Sequence, residues 1–289
     1  MAGESRAEEV RRLLAMTPEE MLEKAKGRLI ILDTLDELHQ HFARSIADEI
    51  KANNERGEPT RLILPVGPTG QYPILAEIVN RERISLKNCW FFFMDEYCDD
   101  NGKPIPPDHP LSFRGTMQRL FFSRIDPELN IPEERVVFPT LENLPRLKDM
   151  IEEVGGIDTC YGGIGIHGHV AFNEPEPNVR HTDPRVVYLN EYTITINAIR
   201  AKVGGDLVNF PRKAVTLGMN QICGARRVRL YCRNDIPGID WANLVLRLAV
   251  FGTPGDDYPV TYLTEHPDYV VITTKDTAAV PENILPLPY

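Results

Sequence analysis

The order of hydrophobic patterns constrains this chain more than any other feature. Short apolar runs alternate with stretches whose apolar residues recur every three or four positions. Arg28–Asp33 (RLIILD) reads as a first strand. Leu35, Leu38, Phe42, Ile46 and Ile50 then mark one buried face of a long helix, opened by Thr34 and Glu37 as a capping box. Arg61–Val66 predicts a second strand, followed by a Gly-rich turn and a helix around Tyr72–Val79. Asn88–Met94 is almost continuously apolar, as expected of a strand covered on both faces. Further strands are expected at Arg135–Phe138, Ile157–Gly162, Lys213–Leu217, Val228–Cys232 and Tyr269–Thr273. Helices are expected near Leu111–Ser123, Leu147–Val154 and Trp241–Phe251. Alternation of this kind implies an α/β fold: three layers, a mostly parallel sheet and helices on both faces, Rossmann-like in type. In such sheets ligands sit beyond the carboxyl ends of the strands.

The chain is 289 residues long, which suits one large α/β domain over residues 28–289 with an N-terminal helical arm over 1–27. In the arm, Thr17, Pro18 and Glu20 form a second capping box that launches a short helix. The formal net charge is −10, so neither a nucleic-acid nor an anionic-membrane partner is expected. No apolar run reaches the roughly 18 residues of a membrane span, and Met1–Leu14 carries no apolar signal core. The five cysteines form no CxxC pair, which points to free thiols in a reducing cytoplasm.

Three loops directly follow strands and carry chemistry. The first runs Leu64-Pro65-Val66-Gly67-Pro68-Thr69-Gly70-Gln71. Its glycines and the helix N-terminus behind it could receive an anion; an ordinary strand-to-helix turn has the same composition. The second, Met94-Asp95-Glu96-Tyr97, ends an aromatic strand with two carboxylates. Partial desolvation there raises a carboxylate pKa and suits a proton-abstracting base; a solvated strand end or a helix cap is the plainer reading. The third is Gly162–Pro175, GGIGIHGHVAFNEP. His169 is poised for proton transfer, and Glu174, five residues on, could orient it. A structural turn is one alternative, and a metal site using His167, His169 and Glu174 is another. His39 and His41 fall on the first long helix and read as surface or packing residues.

These segments together resemble the glucosamine-6-phosphate deaminase/isomerase family, within a wider group that includes 6-phosphogluconolactonases. FFFMDEY (Phe91–Tyr97) is similar to that family's strand ending in MDEY. His109-Pro110-Leu111-Ser112-Phe113 with Phe121-Phe122 is similar to its HPxSY…FF segment, and Gly162–Pro175 to its GGxGxDGHIAFNEP loop. Ala214–Gly218 and His266-Pro267 fall in the family's order, and the match runs from about Arg28 to Thr274. The AFNEP ending favours the deaminase branch.

The resemblance implies a sugar or sugar-phosphate substrate, no cofactor or metal, and a homo-oligomer. It implies that His169 opens the sugar ring, that Glu174 tunes the imidazole and that Asp95 moves the proton from C2 to C1. Gly67, Thr69, Gly70 and Gln71, with Glu96 and Arg200, are the substrate contacts it implies. The chain also departs from the family. His167 replaces the Asp two residues before the catalytic histidine and joins the catalytic group here. Val66 and Pro68 stand where the family has Thr and Gly or Ser, and Gly218-Met219-Asn220-Gln221 replaces a Gly-x-Gly-Thr turn. No phosphate-binding Lys follows Val228–Cys232; Arg233 is the cation available there. The expected activity is an amino-sugar (phosphate) deaminase/isomerase. A lactone hydrolase, a metal-dependent hydrolase and a non-catalytic sugar sensor are the alternatives.

Overall fold

The computed structural model describes residues 3–286; the two ends of the expected 1–27 arm and 28–289 domain fall outside them. Seven strands form one parallel sheet: β1 (Leu29–Leu32), β2 (Thr60–Leu64), β3 (Cys89–Phe93), β5 (Val136–Val137), β6 (Thr159–Gly163), β9 (Arg227–Tyr231) and β10 (Tyr269–Thr274). Their order across the sheet is β1-β10-β9-β6-β2-β3-β5. From β2 the chain winds outward to β3 and β5, then returns to β6 on the other side of β2 and winds outward again. The reversal between β2 and β6 opens a crevice at the strands' carboxyl ends.

Alternate side chains of each strand enter different cores, because successive residues point to opposite faces. Ile63, Phe92, Cys160, Val228 and Val271 join the core beneath α6 (Leu147–Glu153) and α9 (Asn243–Phe251). Leu62, Leu64, Phe91, Phe93, Tyr161 and Tyr231 join the core beneath α3 (Leu35–Glu55), α4 (Gln71–Glu82) and α5 (Phe113–Leu120). The expected three layers are present.

The caps foreseen from sequence form with one change. Thr17 and Glu20 make the full reciprocal box that opens α2 (Pro18–Ala25). At α3 the Thr34 side chain accepts from the Glu37 N–H, but the Glu37 carboxylate accepts from the Asp33 N–H, one residue earlier than a box requires.

A second sheet was not foreseen. β4 (Asp95–Cys98), β8 (Lys213–Thr216) and β7 (Arg185–Tyr188) form three antiparallel strands in the order β4-β8-β7. Lys213–Leu217 reads from sequence as one more strand of the main sheet; it belongs to this smaller one. Met94 is the joint. Its N–H donates to the Leu64 carbonyl of β2 at 3.0 Å, and its carbonyl accepts from the Leu217 N–H at 2.8 Å. No element is expected from sequence over 185–201, yet β7 and α7 (Glu191–Ala201) lie there. The alternating Thr-Ile-Thr-Ile of α7 imitates a strand, and the Asn190 side-chain cap on the Thr193 N–H starts a helix instead.

The arm contains α1 (Arg6–Leu14) before α2. Leu13, Met16 and Met21 join the core beneath α9. Arg247 of α9, fully buried, donates from Nη2 to the Met16 carbonyl at 2.8 Å and to the Ala278 carbonyl at 2.9 Å. No helix among the described residues is long and apolar enough to cross a membrane.

Phe42 carries much of the contact between α3 and the sheet. It is fully buried and lies flat on Tyr231, ring centroids 3.7 Å apart and planes 1° apart. Phe42→Ala should lower the unfolding free energy by about 3–5 kcal/mol, measured by urea denaturation, through lost burial and a residual cavity.

Candidate functional site

The crevice holds a cavity of about 330 Å³. Four strand-following loops line it. Pro65–Thr69 follow β2, Met94 and Asp95 follow β3, Gly163–Gly165 with His169 follow β6, and Arg233 follows β9. The second sheet adds Tyr97, α7 adds Asn197 and Arg200, and the loop before β8 adds Phe210. Asp95 and His169, 74 residues apart in sequence, therefore share one cavity.

Asp95 begins β4, where the chain leaves the parallel sheet, and it is buried. Burial, with Glu96 beside it, pushes its pKa well above the usual carboxylate range. A buried carboxylate of raised pKa can take a proton from carbon and hold it.

His169 is also buried. Burial, then the positive Arg200 and the nearby His167, push its pKa down to about 3. The ring is a neutral base across the physiological range. The ring's Nδ1 lies 3.3 Å from the Thr193 hydroxyl and 3.9 Å from Glu174 Oε1. Glu174 is anchored by its other oxygen, which accepts from the Asn190 N–H at 2.5 Å; Oε1 has no hydrogen-bond partner. Burial raises the Glu174 pKa. With His169 held neutral and Glu174 raised, the two are polar neighbours more than a standing ion pair. Glu174 becomes a counterion once the imidazole takes up a proton.

Two arginines stand together in the cavity wall. Arg200 Nη2 and Arg233 Nη2 both donate to Asp235, at 3.0 Å and 2.9 Å. The Arg200 guanidinium lies 4.6 Å from the Trp241 ring centroid, and the Trp241 indole N–H donates to Asp235 at 3.3 Å. Burial pushes Asp235 upward, but Arg233 and Arg200 outweigh it and hold the carboxyl below its usual range. Arg233 is only 6% exposed, and its Nε has no partner. Burial lowers its pKa. A buried cation with an unsatisfied donor beside the cavity suits an anionic ligand group.

Gly67, Thr69, Asp95, His169 and Arg200 thus come together as the sequence led us to expect. Five other expected site residues do not line the wall. Glu96, expected at the substrate, points away: its carboxylate accepts from the Ser112 hydroxyl and the Phe113 and Arg114 N–H groups at 2.9–3.0 Å, capping α5. Alternation along β4 sends Asp95 and Glu96 to opposite sides. Gln71 turns inward, and its side-chain amide donates to the Pro68 carbonyl at 2.8 Å. Gly70 packs against the His39 ring, which is a packing residue as expected. Glu174 stands behind His169. His167, placed by sequence in the catalytic group, is beside the cavity: its ring meets Tyr192 and Tyr258 edge-on, with centroids at 5.3 Å and 5.5 Å. Among the described residues no three His, Cys, Asp or Glu side chains converge as metal ligands, so His167, His169 and Glu174 do not form the three-ligand group that sequence left open.

Arg233 has a role in the wall that sequence left as a bare charge, and Asn197 was missed. Asn197 and Arg200, three residues apart on α7, share a helix face, but the strand-like pattern of that segment hides the spacing. Tyr97, Phe113, Phe172 and Phe210 form the apolar part of the wall.

No protein-family model matches the chain. Individual relatives do. It is 32% identical over 250 residues to the glucosamine-6-phosphate deaminase of Thermoanaerobacter pseudethanolicus, covering 84% of this chain and 92% of that protein. It is 34% identical over 209 residues to the Caenorhabditis elegans glucosamine-6-phosphate deaminase, covering 70% and 74%. A solved structure described as a monomeric glucosamine-6-phosphate deaminase of the NagB superfamily superposes with a TM-score of 0.76 at 27% identity, over 88% of this chain and all of that one. The 6-phosphogluconolactonase of Trypanosoma cruzi shares the fold, with a TM-score of 0.62 at 19% identity over 87% of this chain and 95% of that one. A parallel sheet with a buried Asp and a neutral His in one crevice, joined to relatives this similar over most of their length, places the chain in the glucosamine-6-phosphate deaminase family.

Proposed function

We propose that the protein is an amino-sugar phosphate deaminase/isomerase, converting an amino-aldose such as glucosamine 6-phosphate to a ketose with release of ammonium. The observation that carries this reading is the shared cavity of Asp95 and His169 with the Arg200/Arg233 pair in the same wall. His169, neutral and therefore a base, takes the proton from the O1 hydroxyl and returns it to O5, opening the ring. Glu174 offsets the charge of the transient imidazolium. Asp95 then removes the proton from C2, giving an enolamine, and delivers it to C1. The resulting imine adds water, loses ammonium and leaves the ketose. Both proton carriers begin in the basic form, and each returns its proton within the cycle.

Arg233 and Arg200 hold the anionic tail of the sugar, with Thr69 and the backbone of the preceding turn. Arg233 occupies the role that the family resemblance gives to a lysine. The lactone-hydrolase alternative uses the same fold but has no task for a carbon acid's base, and the buried Asp95 favours the deaminase. The cytoplasmic setting expected from sequence stays part of the proposal, and the five cysteines are free thiols. Assembly into identical subunits stays part of the proposal from family resemblance; light scattering decides it.

Asp95→Asn should abolish ammonium release from glucosamine 6-phosphate with little change in thermal unfolding. An Asn variant that turns over normally would refute the mechanism, and lactone hydrolysis without ammonium release would favour the hydrolase. Arg233→Met should cost about 2 kcal/mol of substrate binding, roughly a thirtyfold rise in KM, with a smaller effect on the unphosphorylated sugar.

The proton states also predict a stability profile. An unfolded histidine takes a proton near 6.5, whereas His169 resists until about 3. Its contribution to stability is therefore complete above 6.5 and is lost as the pH falls toward 3. Asp95, with its raised pKa, acts in the opposite sense: it favours the fold at low pH and loses that contribution as pH rises. His169→Gln should accordingly flatten the acid-side fall in unfolding free energy, read from urea titrations at several pH values; an unchanged slope would mean the imidazole is charged in the native protein.

A further inference from the structure

The N-terminal arm has no part in the chemistry above, yet its contacts lead to the histidine loop. Glu9 of α1 is buried, and its carboxylate accepts from both the N–H and the hydroxyl of Thr253 at 2.8 Å. Arg6 reaches the same segment. Its guanidinium donates twice to Asp257, at 2.8 Å and 2.9 Å, and once to the Thr253 carbonyl at 2.8 Å. It also lies 5.9 Å from the ring centroid of Tyr258. Paired donation of this kind fixes the direction of the partner as well as its distance.

Tyr258 passes the constraint on. Its ring presses on Gly168, which has φ +67°, and a Cβ there would fall 3.0 Å from Tyr258 Cδ1. The same ring meets His167 edge-on. Two residues further, the Val260 N–H donates to the Gly168 carbonyl at 2.8 Å. Gly168 belongs to the tight turn that presents His169: the Gly168 N–H donates to the Gly165 carbonyl, and the Gly165 N–H to the His169 carbonyl, both at 2.9 Å. Gly165 lies so close under the His169 ring that a Cβ would meet Nε2 at 1.9 Å, so the imidazole has little room to shift without leaving its place. Asp256 holds the far side of the loop. It accepts from the Asn178 N–H and from the Tyr262 hydroxyl, both at 2.9 Å.

We propose that the arm is a brace for the catalytic loop: Arg6 and Glu9 fix the 253–258 segment, and Tyr258 and Val260 in turn fix Gly168, and so the position of His169. Arg6 and Tyr258 are positioning residues, neither touching the cavity. A small displacement of a reacting group is enough to lower turnover by orders of magnitude, so a brace far from the substrate acts on kcat before it acts on KM. The kinetic part of this inference rests on the proposed role of His169; the structural part does not.

The test compares Tyr258→Ala, Tyr258→Phe, Arg6→Ala and Arg6→Lys in the full chain, by hydrogen exchange and by ammonium release from glucosamine 6-phosphate. In Tyr258→Ala and Arg6→Ala the amides of 165–172 should exchange about tenfold faster, with the strands β2 and β3 unaffected. The kcat of both should fall about tenfold while KM stays within about twofold. Tyr258→Phe keeps the ring and should match the parent, and Arg6→Lys should recover part of the loss. Unchanged exchange over 165–172 in both alanine variants would overturn the brace, as would a uniform loosening of the whole sheet. If the parent releases no ammonium, the functional reading fails by itself, and the exchange data still decide the brace. If the parent turns over and the alanine variants keep its kcat, the brace fails and the functional reading stands.

Discussion

The joint at Met94 is the constraint on which the rest depends. One peptide donates to the parallel sheet through its N–H and accepts from the antiparallel sheet through its carbonyl. Backbone groups this deeply buried must be paired, so the chain has little freedom to alter its course here. The next residue is Asp95. Its burial, its raised pKa and its place at the crevice all follow from standing where one sheet hands over to the other. The same alternation that turns Asp95 toward the cavity turns Glu96 toward the N-terminus of α5, where it satisfies three donors. Two adjacent carboxylates thus divide into one that faces the cavity and one that caps a helix.

The site combines two kinds of electrostatics. Around Asp95 and His169, burial works against charge: it pushes the Asp95 pKa up and the His169 pKa down, which strengthens the carboxylate as a base and leaves the imidazole neutral. Around the two arginines, charge is kept and compensated. Arg200 and Arg233 share Asp235, which also receives the Trp241 indole. That carboxylate keeps two guanidinium groups close together. His167, where the family resemblance leads one to expect a carboxylate, sits between two tyrosines beside the cavity and adds to the forces that keep His169 neutral.

The fold was legible wherever local pattern and final environment agree. β3 is apolar throughout because both faces are covered, and of the five apolar positions expected on the buried face of α3, Leu38, Phe42, Ile46 and Ile50 are buried while Leu35 in the first turn is exposed. The pattern failed at α7, whose Thr-Ile alternation has strand period but lies on a helix fixed by the Asn190 cap. It was silent about β4 and β7, which are short and find their partners far away in sequence. Likewise the motif loops pointed to Asp95 and His169, which share the cavity, but not to the inward turn of Gln71 or to Arg233 in the wall.

The sequence by itself determined most of the element types and a mostly parallel sheet covered on both faces, because those depend on hydrophobic period, caps and residue type within a short window. Only the tertiary structure decided which of two neighbouring carboxylates meets the cavity, how two arginines come to share one counterion, and that the arm at one end of the chain is linked through residues 253–260 to the loop of His169. Each of those depends on distance between residues remote in the chain, and burial, which sets their proton affinities, exists only once the sheets and helices have closed around them.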